Sequence, residues 1–337
     1  MKDERNYSLL RHNTFGIEAR CNRFLEFASV EEARDVAHIL REQRQPYLIV
    51  GAGSNLLLTK DYDGIVARSA IRGISLTDYG DKAQLTCGSG ETWDDVVAWT
   101  VSLGFGSLAN LSLIPGDVGA SAVQNIGAYG AEAGTFISEV HAVEVDTGRC
   151  VVIQGKDCDY GYRSSRFKHE WQGRYLITHV VYIISRQDAL CLDYGNIRTE
   201  LMSRGIKNPT PAELRQAIVD IRRAKLPDPQ VLGNAGSFFM NPVVERAKFE
   251  QLADSYPAMP HYHVDDDHEK IPAAWLIDQC GWKGRTMGHA GVHTEQALVL
   301  VNRGGATGTE IVALCRAIQH DVLRRFGIEI HPEVNIV

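Results

Sequence analysis

The sequence lacks the features that mark several common protein classes. It has no Cys-x-x-Cys pair, and its seven cysteines are scattered and odd in number, which argues against a disulfide framework and a zinc site. It has no apolar run long enough for a membrane helix, and its charged N-terminus is not followed by the apolar part of a signal peptide. We therefore expect a cytoplasmic protein without a metal site that does not insert into membranes.

Positive charge is also scarce. Lysine and arginine total 35 against 42 aspartate and glutamate residues, which gives a net charge of -7 and no overall basic field to hold nucleic acid. An anionic ligand must therefore be bound by a local group of cations. What is present is typical of a folded globular protein: 337 residues, 44% hydrophobic and 23% charged. That length predicts about two to three domains.

Helical and strand patterns alternate irregularly, which favours an α+β fold over a doubly wound sheet. Capping residues at Ser29, Thr92, Thr210 and Thr307 predict four helices. Two more helices are expected at 246–254 and 271–279. Apolar runs predict strands at 47–50, 56–58, 64–68, 83–87, 140–145, 150–153, 175–185, 237–240, 297–301 and 328–337. We expect an irregular functional loop over 112–134 and a linker over 225–236.

Two glycine-rich segments are candidates for a cofactor site. The first, Gly51-Ala52-Gly53-Ser54-Asn55-Leu56, follows a strand but lacks the third glycine of the dinucleotide fingerprint. It is either a plain turn or a nest of N–H groups for a diphosphate. The second contains Pro115, Gly116, Gly119, Ala120, Gln124, Asn125, Gly127, Ala128 and Tyr129. Two loops without bulky side chains favour one elongated cofactor lying across both.

Other polar segments are ambiguous by themselves. The turn from Tyr162 to Lys168 is suited to a carboxylate or is a solvated basic turn. The cations from Arg222 to Lys225 clamp a diphosphate or simply complement the helix dipole. Ser237 is not in a G-x-S-x-G elbow, so hydrolase chemistry is unsupported. The histidines and aspartates of 261–268 are expected to form a solvated charged loop and not a metal site.

In their order along the whole chain, the motifs resemble those of the UDP-N-acetylenolpyruvoylglucosamine reductase family. They are Asn13-Thr14-Phe15-Gly16, Gly51 to Leu57, Ile114-Pro115-Gly116, Gln124 to Gly130, Tyr162-Arg163, Gly236-Ser237-Phe238-Phe239 and Pro332-Glu333-Val334. The resemblance implies two FAD-binding domains of the vanillyl-alcohol-oxidase type and a third that covers the substrate. The boundaries expected from it are 1–75 with 326–337, 76–226, and 227–325.

The resemblance also implies a reaction and its residues. The family reduces an enolpyruvyl nucleotide sugar to UDP-N-acetylmuramate for peptidoglycan synthesis, with non-covalent FAD and with NADPH as co-substrate. Ser237 matches the proton donor, and Arg163 and Glu333 match the pair that stabilises the intermediate. The cofactor ligands would come from the two glycine-rich segments. Tyr194, in what looks like the tyrosine loop of the longer subclass, and Lys225, Asn241 and Gln296 match substrate ligands.

The sequence departs from the family pattern at one position, and two alternative functions stay open. Asn335 stands where many relatives carry arginine, which puts a charge contact there in doubt. A flavin-binding protein without turnover would have no reason to keep Arg163, Ser237 and Glu333 together. A flavin oxidase of the same superfamily often links its flavin through histidine or cysteine, and neither glycine-rich segment contains one. A monomer is expected.

Overall fold

The computed structural model of the protein describes residues 1–337. Its α-helices are α1 (Val30–Gln43), α2 (Trp93–Ser102), α3 (Val118–Gln124), α4 (Ile197–Ser203), α5 (Pro211–Lys225), α6 (Arg246–Ser255), α7 (Ala273–Gln279) and α8 (Gly308–Phe326). None of them is both long enough and apolar enough to cross a bilayer.

The strands are mostly short. They are β1 (Lys2–Ser8), β2 (Arg20–Phe27), β3 (Tyr47–Val50), β4 (Leu56–Leu57), β5 (Tyr62–Ser69), β6 (Ile74–Asp78), β7 (Lys82–Gly88), β8 (Gly127–Ala128), β9 (Ala131–Glu132), β10 (Ile137–Glu144), β11 (Cys150–Gln154), β12 (Tyr175–Ser185), β13 (Asn234–Ser237), β14 (Val243–Glu245), β15 (Tyr262–His263), β16 (His268–Lys270), β17 (Thr286–Met287), β18 (Ala290–Val292), β19 (Val299–Asn302) and β20 (Asn335–Ile336).

The chain divides into two compact units. Unit 1 comprises residues 1–7, 21–52 and 63–224, and unit 2 comprises residues 8–20, 53–62 and 225–337. The division into three domains that the resemblance implies stays a prediction.

Unit 1 contains two larger sheets, the small β8-β9 hairpin and two hydrophobic cores. One sheet has the order β1-β2-β5-β3, with β3 and β5 parallel, and the other has the order β11-β10-β12-β7-β6 with antiparallel pairs. Buried residues of α1, such as Val36 and Leu40, share one core with Phe27 and Ile65. The apolar faces of α2 and α5 contribute to the second core, around Trp93 and Tyr182.

Unit 2 is built around α8 and small antiparallel sheets. Its four-stranded sheet has the order β13-β19-β18-β17, and its three-stranded sheet has the order β14-β16-β15. The parallel pair of β20 and β4 links the end of the chain to the first glycine-rich turn. Ile311, Leu314 and Ile318 of α8 are buried in one core with Phe238 and Phe239.

Several predicted elements are confirmed. The Ser29 hydroxyl caps α1 by accepting from the Glu32 N–H at 3.2 Å. Thr307 and Glu310 form the full capping box of α8, and Thr210 and Glu213 exchange the same two bonds ahead of α5. The apolar strand predicted at 175–185 is β12. The region 226–233, within the predicted linker, contains neither helix nor strand.

Four details of the sequence interpretation are wrong. The segment 112–134 contains a short helix, α3, because small residues let it pack closely: a Cβ on Gly119 would lie 2.9 Å from the Ser89 Cβ. The Thr92 side chain makes no capping bond. The strand expected at 237–240 ends at Ser237, since Gly236 adopts a φ of 68° and bends the chain. The strand expected at 328–337 is limited to β20 and one bridge at Pro332, which has no N–H to donate.

Candidate active site

The second glycine-rich segment forms α3 and the tight hairpin of β8 and β9. Asn125 ends the helix with a φ of 43°, and Tyr129 turns the hairpin with a φ of 49°. The Asn125 amide holds this shape: Nδ2 donates to Glu132 at 2.9 Å and to the Gly161 carbonyl at 2.7 Å, while Oδ1 accepts from the Gly134 N–H at 2.8 Å. Because both amide N–H groups are occupied, Asn125 shapes the loop, and its side chain is not free to donate to a ligand.

The start of α3 lies next to the start of the first glycine-rich turn. Gly116 has a φ of 131°, and its carbonyl accepts from the Trp93 N–H at 3.0 Å. A Cβ on Gly51 would lie 3.5 Å from both the Ala120 Cβ and the Asp117 Oδ2. Within unit 1 the two candidate cofactor segments therefore meet, which is what an elongated ligand across both requires.

The rest of the first turn belongs to unit 2, where it is held from both sides. Gly53 has a φ of 73°, its carbonyl accepts from the Thr14 N–H at 3.1 Å, and a Cβ there would overlap the His12 carbonyl oxygen. Asn55 Nδ2 donates to the Glu333 carbonyl at 3.2 Å, and its own carbonyl accepts from the backbone N–H and Nδ2 of Asn335. Asn335, the departure noted above, thus supports the turn.

Arg163 lies against the second glycine-rich segment. Its backbone has a φ of 52°. Its Nη2 donates to the Gly127 carbonyl, and its Nη1 is 3.7 Å from a Glu132 carboxylate oxygen. A Cβ on Gly127 would overlap the guanidinium. The glycine therefore provides the space in which the Arg163 fork sits.

Tyr194 lies beside the same hairpin. Its ring meets that of Tyr129 edge to face, with centroids 6.4 Å apart. The buried Asn110 joins their two segments, since its Nδ2 donates to the Tyr129 carbonyl at 3.1 Å and to the Cys191 carbonyl at 2.7 Å. Burial raises the pKa of the Tyr129 hydroxyl, and the nearby Arg222 charge opposes this shift.

Arg222 of α5 is a functional candidate that sequence reasoning left undecided. Burial lowers the pKa of its guanidinium, against the opposing charges of Tyr129 and Asp94. Its Nε is buried without a hydrogen-bond partner. A buried N–H without a protein partner is rare, and an anionic ligand would satisfy it. The sequence does contain one indication of this position: Arg222 follows Ile218 by four residues, and this helical spacing places it near the buried side of α5.

The segments that carry Ser237 and Glu333 are adjacent in unit 2. Ser237 ends β13 opposite Val299 with its side chain exposed. The Phe238 carbonyl accepts from the Glu333 N–H at 2.8 Å, and Phe239 bridges Pro332. The buried Asn234 shapes the approach: its Oδ1 accepts from the Gly236 N–H at 2.9 Å, and its Nδ2 donates to the Leu232 carbonyl at 2.8 Å. Sequence reasoning had assigned Asn234 no role.

Two predicted substrate residues share one arrangement. Asn241 Oδ1 accepts from the Ala273 N–H at 2.9 Å, and Gln296 Oε1 accepts from the Leu298 N–H at 3.3 Å. In each amide the oxygen is occupied and the NH₂ group points away from that bond. Lys225, at the end of α5, is exposed.

The segment 261–268, predicted to be a solvated charged loop, is not solvated along its whole length, because two of its histidines contact a buried carboxylate. Glu269, only 5% exposed, is 3.0 Å from His261 Nδ1 and 3.3 Å from His263 Nδ1. No group of three histidine, cysteine, aspartate or glutamate side chains in the chain is arranged to hold a metal ion.

Comparison with known proteins decides the family. A family model described as UDP-N-acetylenolpyruvoylglucosamine reductase, C-terminal domain, matches residues 228–337, and one described as FAD binding domain matches residues 22–154. The UDP-N-acetylenolpyruvoylglucosamine reductase of Bacteroides fragilis is 49% identical over 99% of this chain and 100% of its own. The chain belongs to the UDP-N-acetylenolpyruvoylglucosamine reductase family.

Other members of the family agree. The enzyme of Flavobacterium johnsoniae is 43% identical, with both chains covered completely. The crystal structure of the enzyme from Thermus caldophilus shares the fold, with a TM-score of 0.68 at 21% identity over 100% of this chain and 99% of that one. The predicted family and the predicted α+β fold with an FAD-binding region are confirmed.

The residues of unit 1 fit FAD. Gly51 and Ala120 carry no bulky side chain where the two glycine-rich segments meet, and Arg222 has a buried N–H without a partner. A buried cationic donor of this kind is what an anionic dinucleotide requires.

Proposed function

We propose that this protein reduces the enolpyruvyl ether of UDP-N-acetylglucosamine enolpyruvate to UDP-N-acetylmuramate in the cytoplasm, as a monomer with non-covalent FAD and with NADPH as co-substrate. Membership of the family, the FAD-binding match over 22–154 and the two adjoining glycine-rich segments support the proposal. Bound FAD would supply the hydride chemistry, which no side chain can perform.

Arg163 would bind the carboxylate of the enolpyruvyl group. When hydride arrives at the terminal methylene carbon, negative charge develops at the adjacent carbon and in this carboxylate. A guanidinium offers a planar fork that matches both carboxylate oxygens. The contacts of Arg163 with the Gly127 carbonyl and with Glu132 hold its guanidinium in one orientation before the substrate binds. Little side-chain entropy therefore has to be lost during the reaction.

Ser237 would donate the proton that completes the reduction, and Glu333, in its protonated form, would donate a hydrogen bond to the negative charge that precedes it. The observation that carries this proposal is the strand arrangement of unit 2, in which an exposed hydroxyl ends β13 and the next residue is bonded to the Glu333 N–H. The main chain holds both segments in register, which places a proton donor and a second hydrogen-bond donor reproducibly.

The substrate's diphosphate would be bound by donors from Asn241, Gln296 and Lys225. The two amide oxygens already accept from backbone N–H groups, so each amide presents its NH₂ group, which suits phosphate oxygens. Tyr194 would close over the nucleotide sugar, as in the longer subclass with the tyrosine loop. Its ring contact with Tyr129 would hold the ring in place when no substrate is bound.

Ser237→Ala tests the proposal through the two halves of the reaction. NADPH should still bleach the flavin at nearly the normal rate, because that half needs no proton for the substrate carbon. Reoxidation by the enolpyruvyl substrate should slow about 10²- to 10⁴-fold, or by roughly 3 to 5 kcal/mol of barrier. Stopped-flow absorbance of each half-reaction measures both rates.

Ser255→Ala is the matched control, since it removes an exposed hydroxyl of the same unit at the end of α6. It should leave both halves unchanged. Equal and mild slowing of both halves in Ser237→Ala would contradict the role as proton donor. A wild-type protein that binds FAD but turns nothing over would favour the alternative of a non-catalytic binding protein.

A further inference from the structure

A partly buried ionic network lies where the two glycine-rich segments of unit 1 meet. Arg68 of β5 is paired with Val50, the last residue of β3 before the first glycine-rich turn. Its Nη1 donates to Glu26 at 2.8 Å, and its Nη2 donates to Asp117 Oδ2 at 3.4 Å. Asp117 immediately precedes α3 of the second segment. One guanidinium therefore joins the strand that leads into one segment to the residue that opens the other.

The network is largely removed from water. The Arg68 side chain is 18% exposed, that of Glu26 24% and that of Asp117 8%. The Arg68 Nε is buried and has no hydrogen-bond partner. Burial raises the pKa of Asp117 above its usual value, and the charge of Arg68 and its hydrogen bond only partly oppose that shift. Asp117 makes no side-chain cap to α3, so the ordinary structural reason for an aspartate at this position does not apply.

We propose that Arg68 is a positioning residue that fixes the spacing of the two FAD-binding segments and neutralises the Asp117 carboxylate next to the cofactor's diphosphate. The contact between the segments supports this, because a Cβ on Gly51 would lie 3.5 Å from the same Asp117 Oδ2 that Arg68 binds. A bare carboxylate there would repel an anionic ligand. The inference rests on the proposed binding of FAD.

The test is the dissociation constant of FAD, measured by quenching of its fluorescence with the FAD-free protein. Arg68→Met should weaken binding about 10- to 100-fold, as expected for loss of a charged hydrogen bond. The double variant Arg68→Met with Asp117→Asn should bind FAD more tightly than Arg68→Met alone, because the unneutralised charge is gone. A purely structural role would make the double variant as weak as, or weaker than, the single one.

Two further variants complete the experiment. Arg174→Met is the matched control, because its guanidinium pairs with Glu144 in the same unit, and it should leave the FAD dissociation constant within about twofold. If Arg68→Met does not fold, Arg68→Lys takes its place: one ammonium cannot bridge both carboxylates as the fork does, so binding should be intermediate. Wild-type affinity in Arg68→Met or in Arg68→Lys would overturn the inference. If the wild-type protein does not bind FAD at all, the proposed function itself fails.

Discussion

Asp94 and Arg215 show how a single ion pair can set the stability of unit 1 at low pH. Arg215 Nη1 and Nη2 donate to the two Asp94 oxygens at 2.6 and 2.9 Å. Burial raises the pKa of Asp94, but the bonds from Arg215 and the Leu113 N–H outweigh it, and the net pKa lies below its usual value of 3.8. A depressed pKa contributes stability above the unfolded pKa, and that contribution is lost as the pH falls through the folded value.

Asp94→Asn should therefore destabilise the protein at pH 7 by about 1.5 to 3 kcal/mol. The difference from the wild type should begin to shrink as the pH falls below about 4, where the unfolded carboxyl takes up a proton, and should vanish once the pH falls through the lower pKa of the folded protein. Urea unfolding at pH 7 and at pH 3.5 measures the difference. Asp193→Asn is the control, since its pair with Arg198 is exposed. If Asp94→Asn is destabilised by the same amount at both pH values, the ionised Asp94 carboxylate is not the source of the lost stability.

At the scale of single residues, the sequence suggests candidates for the chemistry but not their contacts. Arg163 and Ser237 were recognisable because their neighbouring motifs are specific, and their types suit a carboxylate and a proton transfer. The partnership of Ser237 with Glu333 was not predictable from spacing, because 96 residues separate them along the chain and a backbone bond joins their segments. Arg68 carried no signal at all, because a lone arginine in a strand is usually a surface residue.

At the scale of elements, long periodic helices were predictable and glycine-rich ones were not. The 19-residue α8 is recognisable in the sequence by its capping box and its apolar stripe, and so is α5. α3 has only seven residues and includes Gly119, so local propensity argues against it. Its stability comes from packing on Ser89, where the Gly119 N–H also donates to the Ser89 carbonyl at 2.8 Å. Tertiary contact thus decides what the local sequence leaves open.

The first glycine-rich turn offers a test of one close backbone approach. Gly53→Ala should cost about 3 kcal/mol or more, because a left-handed residue gains a Cβ penalty and that Cβ would also overlap the His12 carbonyl. The turn carries part of the proposed FAD site, so retained FAD should fall as well. Chemical denaturation and the ratio of flavin to protein absorbance measure the two effects.

Gly16→Ala is the matched control in the same unit. Gly16 has a similar φ of 64°, but a Cβ there would meet no atom within 4 Å. The expected cost is only the conformational penalty of about 1 to 2 kcal/mol, and FAD should be retained. If the two variants lose the same stability, the approach of His12 to Gly53 does not matter.

For the whole molecule, the negative net charge limits how an anionic cofactor and an anionic substrate can be bound. With a net charge of -7, the protein cannot attract two anionic ligands by its overall field, so binding must depend on local groups. Arg68, Arg163 and Arg222 all lie in unit 1, which contains most of the residues 22–154 that match the FAD-binding model. Family and fold class followed from the order of motifs along the sequence. The placement of these cations did not, because it depends on which strands and helices meet.

Removal of FAD should therefore destabilise parts of the protein unequally. A ligand at 100 times its dissociation constant adds about 2.7 kcal/mol, and the segments that bind it are held most directly. The amides of α3 should lose protection from hydrogen exchange, because a seven-residue helix with a glycine is too short to persist without support. The amides of α8 should change little, since this helix is capped at both ends and has seven buried residues. Hydrogen exchange with mass spectrometry, on the FAD-loaded and FAD-free protein, compares the two helices directly. Equal loss of protection in α3 and α8 would show that FAD stabilises the fold as a whole and not through these segments, and unchanged exchange in α3 would place the cofactor elsewhere.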